Sequence, residues 1–195
     1  MIIFHRDIKK ADVRVHGNGF VQAELFDGSK LHIWGKDCPR QDVPTLIHNH
    51  TSPFHSTILY GILRNEEYVL DKAKRASNND QIYDMYQAVS RKKKDTGLEN
   101  MNKQRYIVSR RKFYLAAGST YQFPGTEDLF HATFPETDLV VTRVFRQPEE
   151  QRNPIVLVPI EEKPDNSFDR YEHEEYAIAI YEKVRQMVRC KLNVL

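Results

Sequence analysis

A chain of 195 residues with 40% hydrophobic content is long enough for one packed core with peripheral additions, and it reads as a single domain over 1–195. Its 29 basic and 27 acidic residues leave a net charge of +2, which gives no electrostatic reason to bind nucleic acid or a membrane surface. Two cysteines, Cys38 and Cys190, exclude a disulfide scaffold; together with the lack of any long apolar run and of a leader-like N-terminus, they predict a cytoplasmic, reducing location.

In chain order, Val13 to His16, Phe20 to Phe26 and Lys30 to Trp34 read as short strands. They are separated by Gly17-Asn18-Gly19 and Asp27-Gly28, turn sequences that return antiparallel strands. Val43 to His50 and Ser56 to Tyr60 flank a Thr51-Ser52-Pro53 corner; Gly61 turns the chain and Ile62 to Leu70 runs outward. Residues 71–104 read as a charged insertion with the basic run Arg91 to Lys94 as a solvated loop, and with one helix-like patch at Ile82, Met85, Tyr86 and Val89. Strands resume at Arg105 to Ser109, Phe113 to Ala116, Thr120 to Phe123, Leu129 to Phe134 and Leu139 to Arg146. The spacing of Phe168, Tyr171, Ala177, Ile180, Tyr181, Val184, Met187 and Val188 predicts a C-terminal helix over 165–195, capped by Asp165 or Ser167. Many short strands before one late helix predict a mainly β, double-sheet barrel of the jelly-roll kind, with its core at 12–147.

The chemistry is concentrated in histidines. His48 and His50, two residues apart on an extended strand, face the same side with Cα atoms about 6.6 Å apart. Imidazole nitrogens bind a first-row metal at about 2.0 to 2.1 Å, so this pair can chelate and leave a sector open for a ligand from another strand. His131, in Leu129 to Phe134, lies on such a strand. His5, His16, His32 and His173 have no neighbour at ligand spacing and read as ordinary surface or sheet positions.

His48-Asn49-His50 with His55 and then Gly61 resembles the first cupin motif, in which His-x-His is followed by a glutamate and later by a glycine. Gly118 to His131, with Pro124-Gly125 between them, resembles the second. The likeness spans roughly residues 12 to 147 and implies a cupin double-stranded β-helix. Within cupins, Ile47 to Thr51, Leu63 to Glu66, Phe130-His131, Glu136 to Asp138 and Phe145 to Pro148 are similar to the cysteine dioxygenase group. That resemblance implies an Fe(II)-dependent oxidoreductase with His48, His50 and His131 as ligands and open positions for a small substrate and O₂; zinc, nickel or manganese are alternative ions. The pattern departs at His55, which stands where cupins have glutamate and animal thiol dioxygenases a cross-linked cysteine, so that cross-link is excluded. No residue aligns with the tyrosine partner or with a carboxylate-gripping arginine.

His55 is either a fourth nitrogen ligand or an acid–base group beside whatever binds, and the second role is the one assigned. Tyr60, Tyr121 and Arg143 are the candidate substrate-binding residues, although the rings also suit barrel packing and an arginine on this strand equally suits the solvated face. Two other functions fit some of these residues. One is a non-catalytic cupin that binds or sequesters a small anionic or nucleotide-like ligand. The other rests on His55-Ser56-Thr57 and His131-Ala132-Thr133, which resemble the paired motifs of two-histidine phosphoesterases and would make His55 and His131 acid and base. A homodimer or higher oligomer is expected through sheet edges and the aromatic face of the C-terminal helix.

Overall fold

The computed structural model describes residues 13–25, 27–36, 38, 47–70, 81–90, 95–147, 153–162, 164, 168–169 and 173–192. The predicted strand at 43–46, the basic run 91–94, the capping residues Asp165 and Ser167, and His5 lie outside them. Among the described residues, thirteen strands form two antiparallel sheets, accompanied by one helix.

The first sheet has six strands. The meander of β1 (Val13–Val15), β2 (Val21–Glu24) and β3 (Lys30–Gly35) leads to β11 (Leu139–Arg146), then β5 (Phe54–Tyr60) and β9 (Thr120–Phe123). Strands β2 and β3 are buried on both faces, so that polar Gln22 and His32 are buried alongside the apolar residues with which they alternate. Val21, Ala23, Leu31 and Ile33 face outward onto helix α1 (Glu174–Leu192), while Gln22, His32 and Trp34 face the second sheet. Ala177, Tyr181 and Val184 form the helix's buried stripe at i, i+4, i+7. Tyr181, part of the aromatic face expected at a subunit interface, packs instead on the chain's own sheet.

The second sheet contains β4 (Ile47–His48), β6 (Ile62–Leu70), β7 (Ile82–Ser90), β8 (Asp95–Ala116), β10 (Leu129–Pro135), β12 (Ile155–Pro159) and β13 (Phe168–Asp169). Strand β8 is 22 residues long and changes partners along its length. Its first half pairs with β7 and its second with β6, so that β8, β6, β10, β4, β12 and β7 close into a ring of pairings. Tyr68, Tyr83, Met85, Phe130, Ala132 and Leu157 fill this ring as a second core. Along β10, Phe130 and Ala132 point into that core, which leaves His131 and Thr133 on the face turned to the first sheet.

This corrects the expected helical insertion. Residues 82–90 and 95–104 are strand, and Ile82, Met85, Tyr86 and Val89 belong to β7. The register of β7 on β8 slips between Asp84 and Tyr86, and the strand is apolar on both faces, with Met85 in the ring core and Tyr86 against Leu98, Val156 and Val158. A slipped, doubly buried strand mimics helical spacing. Strand β12 carries no expectation from sequence, its apolar run being bracketed by Pro154 and Pro159. The helix starts at Glu174, because Phe168 and Asp169 pair with β8.

Gly61 joins β5 to β6 at a φ of 79°, and a Cβ there would lie 2.3 Å from the Leu139 carbonyl oxygen. Gly61→Ala is expected to destabilise the protein by more than about 2 kcal/mol, the left-handed strain alone being about 1–2 kcal/mol. The shift in urea midpoint measures this, and a change below half that size contradicts the tight packing of this turn.

Candidate metal centre

His48 and His131 are direct cross-strand partners of β4 and β10, so their side chains rise on the same face of the sheet. His50 lies just beyond β4 and is held there by Asn49. The Asn49 N–H donates to the Ile155 carbonyl (3.0 Å), and the Ile155 N–H donates to Asn49 Oδ1 (2.7 Å), which carries the pairing with β12 past the strand's end. Gly125, at a φ of 67°, sits so tightly on the following Ser52–Pro53 peptide that a Cβ would lie 2.3 Å from Ser52 C. The loop before β10 thus presses the His50 corner into place.

The three imidazoles have centroids 4.8, 4.8 and 4.9 Å apart, and one nitrogen from each lies within 4.8 Å of the others. They are the residues the sequence paired as ligands. Nε2 of His50 and Nε2 of His131 are 2.8 Å apart. A metal bound at about 2.0 to 2.1 Å sets two nitrogens about 3.0 Å apart at a right angle and about 3.4 Å apart at the tetrahedral angle. The donor set suits a divalent first-row ion, and the spacing of the His50–His131 pair is close to the right-angled arrangement, with the His48 nitrogen within 4.8 Å of both.

Nδ1 of His131 donates to Oδ1 of the fully buried Asn65 at 3.0 Å, which leaves Nε2 with its lone pair toward the other two rings. Asn18 Nδ2 is 3.5 Å from His48 Nδ1. Phe54 packs edge-on against His50 at 4.7 Å and Phe123 lies 4.5 Å from His131, so aromatic rings flank two of the three imidazoles.

Burial lowers the pKa of His50 and His131 well below the usual imidazole range, and the charges of neighbouring histidines and of Arg146 push the same way. His32 behaves alike, through burial first and Arg146 next. Each is therefore neutral in the fold, whereas the unfolded chain takes up a proton below about pH 6.5. The metal-free protein is expected to be stable above that pH and to lose up to about 1.4 kcal/mol per histidine per pH unit as pH falls below it. Urea midpoints at pH 7.5 and 5.5 measure the slope; His32→Asn should flatten it, and equal midpoints contradict the burial of neutral rings.

The other expected site residues are distributed differently. The cavity in front of the three histidines has a volume of about 40 Å³ and is lined in part by Phe20, Trp34, Tyr121 and Val144. Tyr121 is thus placed beside the cluster, and burial raises its pKa. His55 does not line the cavity: Phe54, Ser56 and Ile58 are the buried residues of β5, and His55 falls on the alternate face opposite Gln122 and Phe145. The two His-x-Thr tripeptides are therefore not brought to one site. Tyr60 is 37% exposed at the end of β5. Arg143 takes the outward face of β11, donating to Ser29 Oγ at 3.1 Å and to Asp27, and covering the Phe145 ring.

Sequence reasoning missed three lining residues, His16, His32 and Arg146. For Arg146 the signal was parity: on β11, Val144 and Arg146 share the inward face while Arg143 and Phe145 share the outward one. His16 and His32 gave none, because they reach the cavity across the sheet rather than along one strand.

No helix among the described residues is long and apolar enough to cross a membrane. No protein-family model and no curated protein matches the chain. Among solved structures, it is similar to the Drosophila melanogaster CENP-C cupin domain, with 8% identity and a TM-score of 0.37 over 70% of this chain and 76% of that one. It is similar to Drosophila melanogaster CENP-C bound to CAL1, with 8% identity and a TM-score of 0.37 over 69% and 78% of the two chains. It is also similar to a chain from the DMSP lyases RdDddP and RnDddQII, with 16% identity and a TM-score of 0.30 over 84% of this chain and 61% of that one. The chain is a mainly β, two-sheet protein with a C-terminal helix whose structural neighbours include cupin domains, and its site stands on the geometry above.

Proposed function

We propose that the chain is a cupin-type, metal-dependent oxidoreductase that acts on a small molecule, with one divalent ion, Fe(II) in the first instance, held by His48, His50 and His131. The observation that carries the reading is the convergence of three buried or half-buried imidazoles on one point, with His131 already locked in the ligating tautomer by Asn65. When bound, an ion held only by neutral imidazoles retains its full charge and open positions, and as Fe(II) it supplies redox chemistry with O₂. His48, His50 and His131 hold the ion, Asn65 orients His131, and Phe54 and Phe123 flank the rings of His50 and His131. Tyr121 bounds the space left for the substrate.

Protein purified without chelator is expected to carry one metal per chain, and the iron form to consume O₂ with a thiol or small organic acid as co-substrate. His48→Ala should abolish that uptake. Uptake that survives His48→Ala, or stoichiometric iron inert toward the whole panel, counts against an oxidoreductase.

A non-catalytic binding module is the second reading, and the cavity's volume of about 40 Å³ limits either role to a ligand of a few heavy atoms. Small-molecule sites usually span about 300–1,000 Å³. Saturable ligand binding without O₂ uptake would select this role.

A further inference from the structure

We propose that the outer edge of β8, over residues 110–116, docks an acidic, extended segment of a partner protein, which adds to the second sheet as one more antiparallel strand. This surface is separate from the histidine cavity, because β6 lies between β8 and the strand β10 that carries His131. It stands whether or not the cavity holds a metal.

Strand β8 parts from β7 at Tyr106 and meets β13 only at Asp95 and Thr96. From Arg110 to Ala116 it therefore pairs with β6 on one side and, among the described residues, with no strand on the other. Every second residue of this stretch turns its N–H and C=O away from β6, and seven residues present such groups over about 24 Å. Arg110, Arg111, Lys112, Tyr114 and Ala116 are exposed, which leaves the edge accessible to another chain.

Charge decides what fits this edge. Between Asn100 and Thr126 the chain carries Lys103, Arg105, Arg110, Arg111 and Lys112 and no acidic residue. Arg110 and Lys112 share a single carboxylate, that of Glu66, while Lys103, Arg105 and Arg111 form no ion pair among the described residues. A second copy of the chain would bring the same cations to the same edge, whereas an acidic strand sets carboxylates beside them. Cations alone can also serve to keep an edge from pairing. Here they adjoin exposed apolar side chains: Tyr114 is 60% exposed and Ile62 38%, and the register of Arg64 on Tyr114 and Ile62 on Ala116 makes the two diagonal neighbours on one face. Deterrence gains nothing from such a patch, while a docked strand covers it. A nucleic acid would meet the charges but not the alternating N–H and C=O groups, so a peptide is the occupant that uses both.

The test titrates the whole chain into a fluorescently labelled peptide of alternating valine and glutamate, about nine residues long, and follows anisotropy and amide hydrogen exchange. Binding is expected, with exchange slowed at residues 110–116. Lysine in place of each glutamate, or N-methylation of the peptide's backbone amides, should weaken it at least about tenfold, the first by charge and the second by loss of ladder donors. Arg111→Glu should weaken it by a similar factor and Arg111→Gln by less, while His131→Ala binds like wild type. If Arg111→Glu does not fold, Arg111→Gln and the two control peptides decide. The proposal is overturned by absence of binding at about 1 mM peptide, by equal binding of either control peptide, or by unchanged affinity in folded Arg111→Glu. It is equally overturned if protection falls outside 110–116, if a single-stranded oligonucleotide binds more tightly than the peptide, or if sedimentation shows a dimer of the chain that excludes it.

Discussion

His131→Ala is expected to lower the affinity for a divalent metal by more than about 100-fold, the upper end of what losing a hydrogen-bond partner behind a ligand costs. Asn65→Ala should fall within that outer range, about 10–100-fold, because it frees the His131 ring to turn and to carry its proton on Nε2 instead of Nδ1. His55→Ala should leave affinity unchanged, since β5 turns that residue to the face opposite the cavity. Competition titrations against a chelator of known affinity measure all three. The ordering His131, then Asn65, then no effect at His55 separates the three-histidine centre from a four-nitrogen site. A loss at His55 equal to that at His131 contradicts the arrangement.

The second large effect lies behind the histidine wall, at Glu66. Its side chain is fully buried on β6, beside Asn65, and is held by Arg64 and Arg110, by Lys112 at 3.4 Å and by the Tyr68 hydroxyl at 2.7 Å. Burial pulls the Glu66 pKa up, but the hydrogen bonds of Tyr68 and Arg110 and the charges of Arg110 and Arg64 outweigh it and hold the pKa below the usual carboxylate range. Glu66 therefore stabilises the fold above the ordinary glutamate pKa, and that contribution is lost as pH falls through the lowered value. Glu66→Ala is expected to cost about 2–3 kcal/mol, less than the 3–5 of a fully buried pair, because Arg110 and Lys112 reach solvent and Arg64 keeps Glu136 at 2.6 Å. Glu66→Gln should recover part of this by retaining an acceptor for Tyr68. Urea unfolding at pH 7 reads the cost, and a loss below about 0.5 kcal/mol would mean that the cluster is dispensable.

The two-sheet architecture and the three-histidine cluster were legible because each is written in local periodicity. His48 and His50 are spaced two apart, which brings them to one side although β4 ends at His48, and His131 sits on a run whose alternate residues, Phe130 and Ala132, are apolar enough to declare the opposite face. What escaped was set by tertiary pairing. Strand β7 looked helical because the ring core lies on one of its faces and the Leu98, Val156 and Val158 cluster on the other, and β12 stayed hidden between two prolines although it pairs with both β4 and β7. Arg143 and Arg146 differ only in parity on one strand, yet one covers Phe145 outside and the other lines the cavity. His55 lies on the far face because β5 begins directly at Phe54, with no irregularity after Pro53 to restore its facing.

The most direct measurement is anomalous scattering from crystals of the protein loaded with one equivalent of Fe(II) or Co(II). A single peak is expected within about 2.2 Å of one ring nitrogen each of His48, His50 and His131, with His55 outside bonding distance. A metal peak away from these three rings, or no peak in protein shown to be fully exposed to the ion, would contradict the metal centre and with it the proposed chemistry.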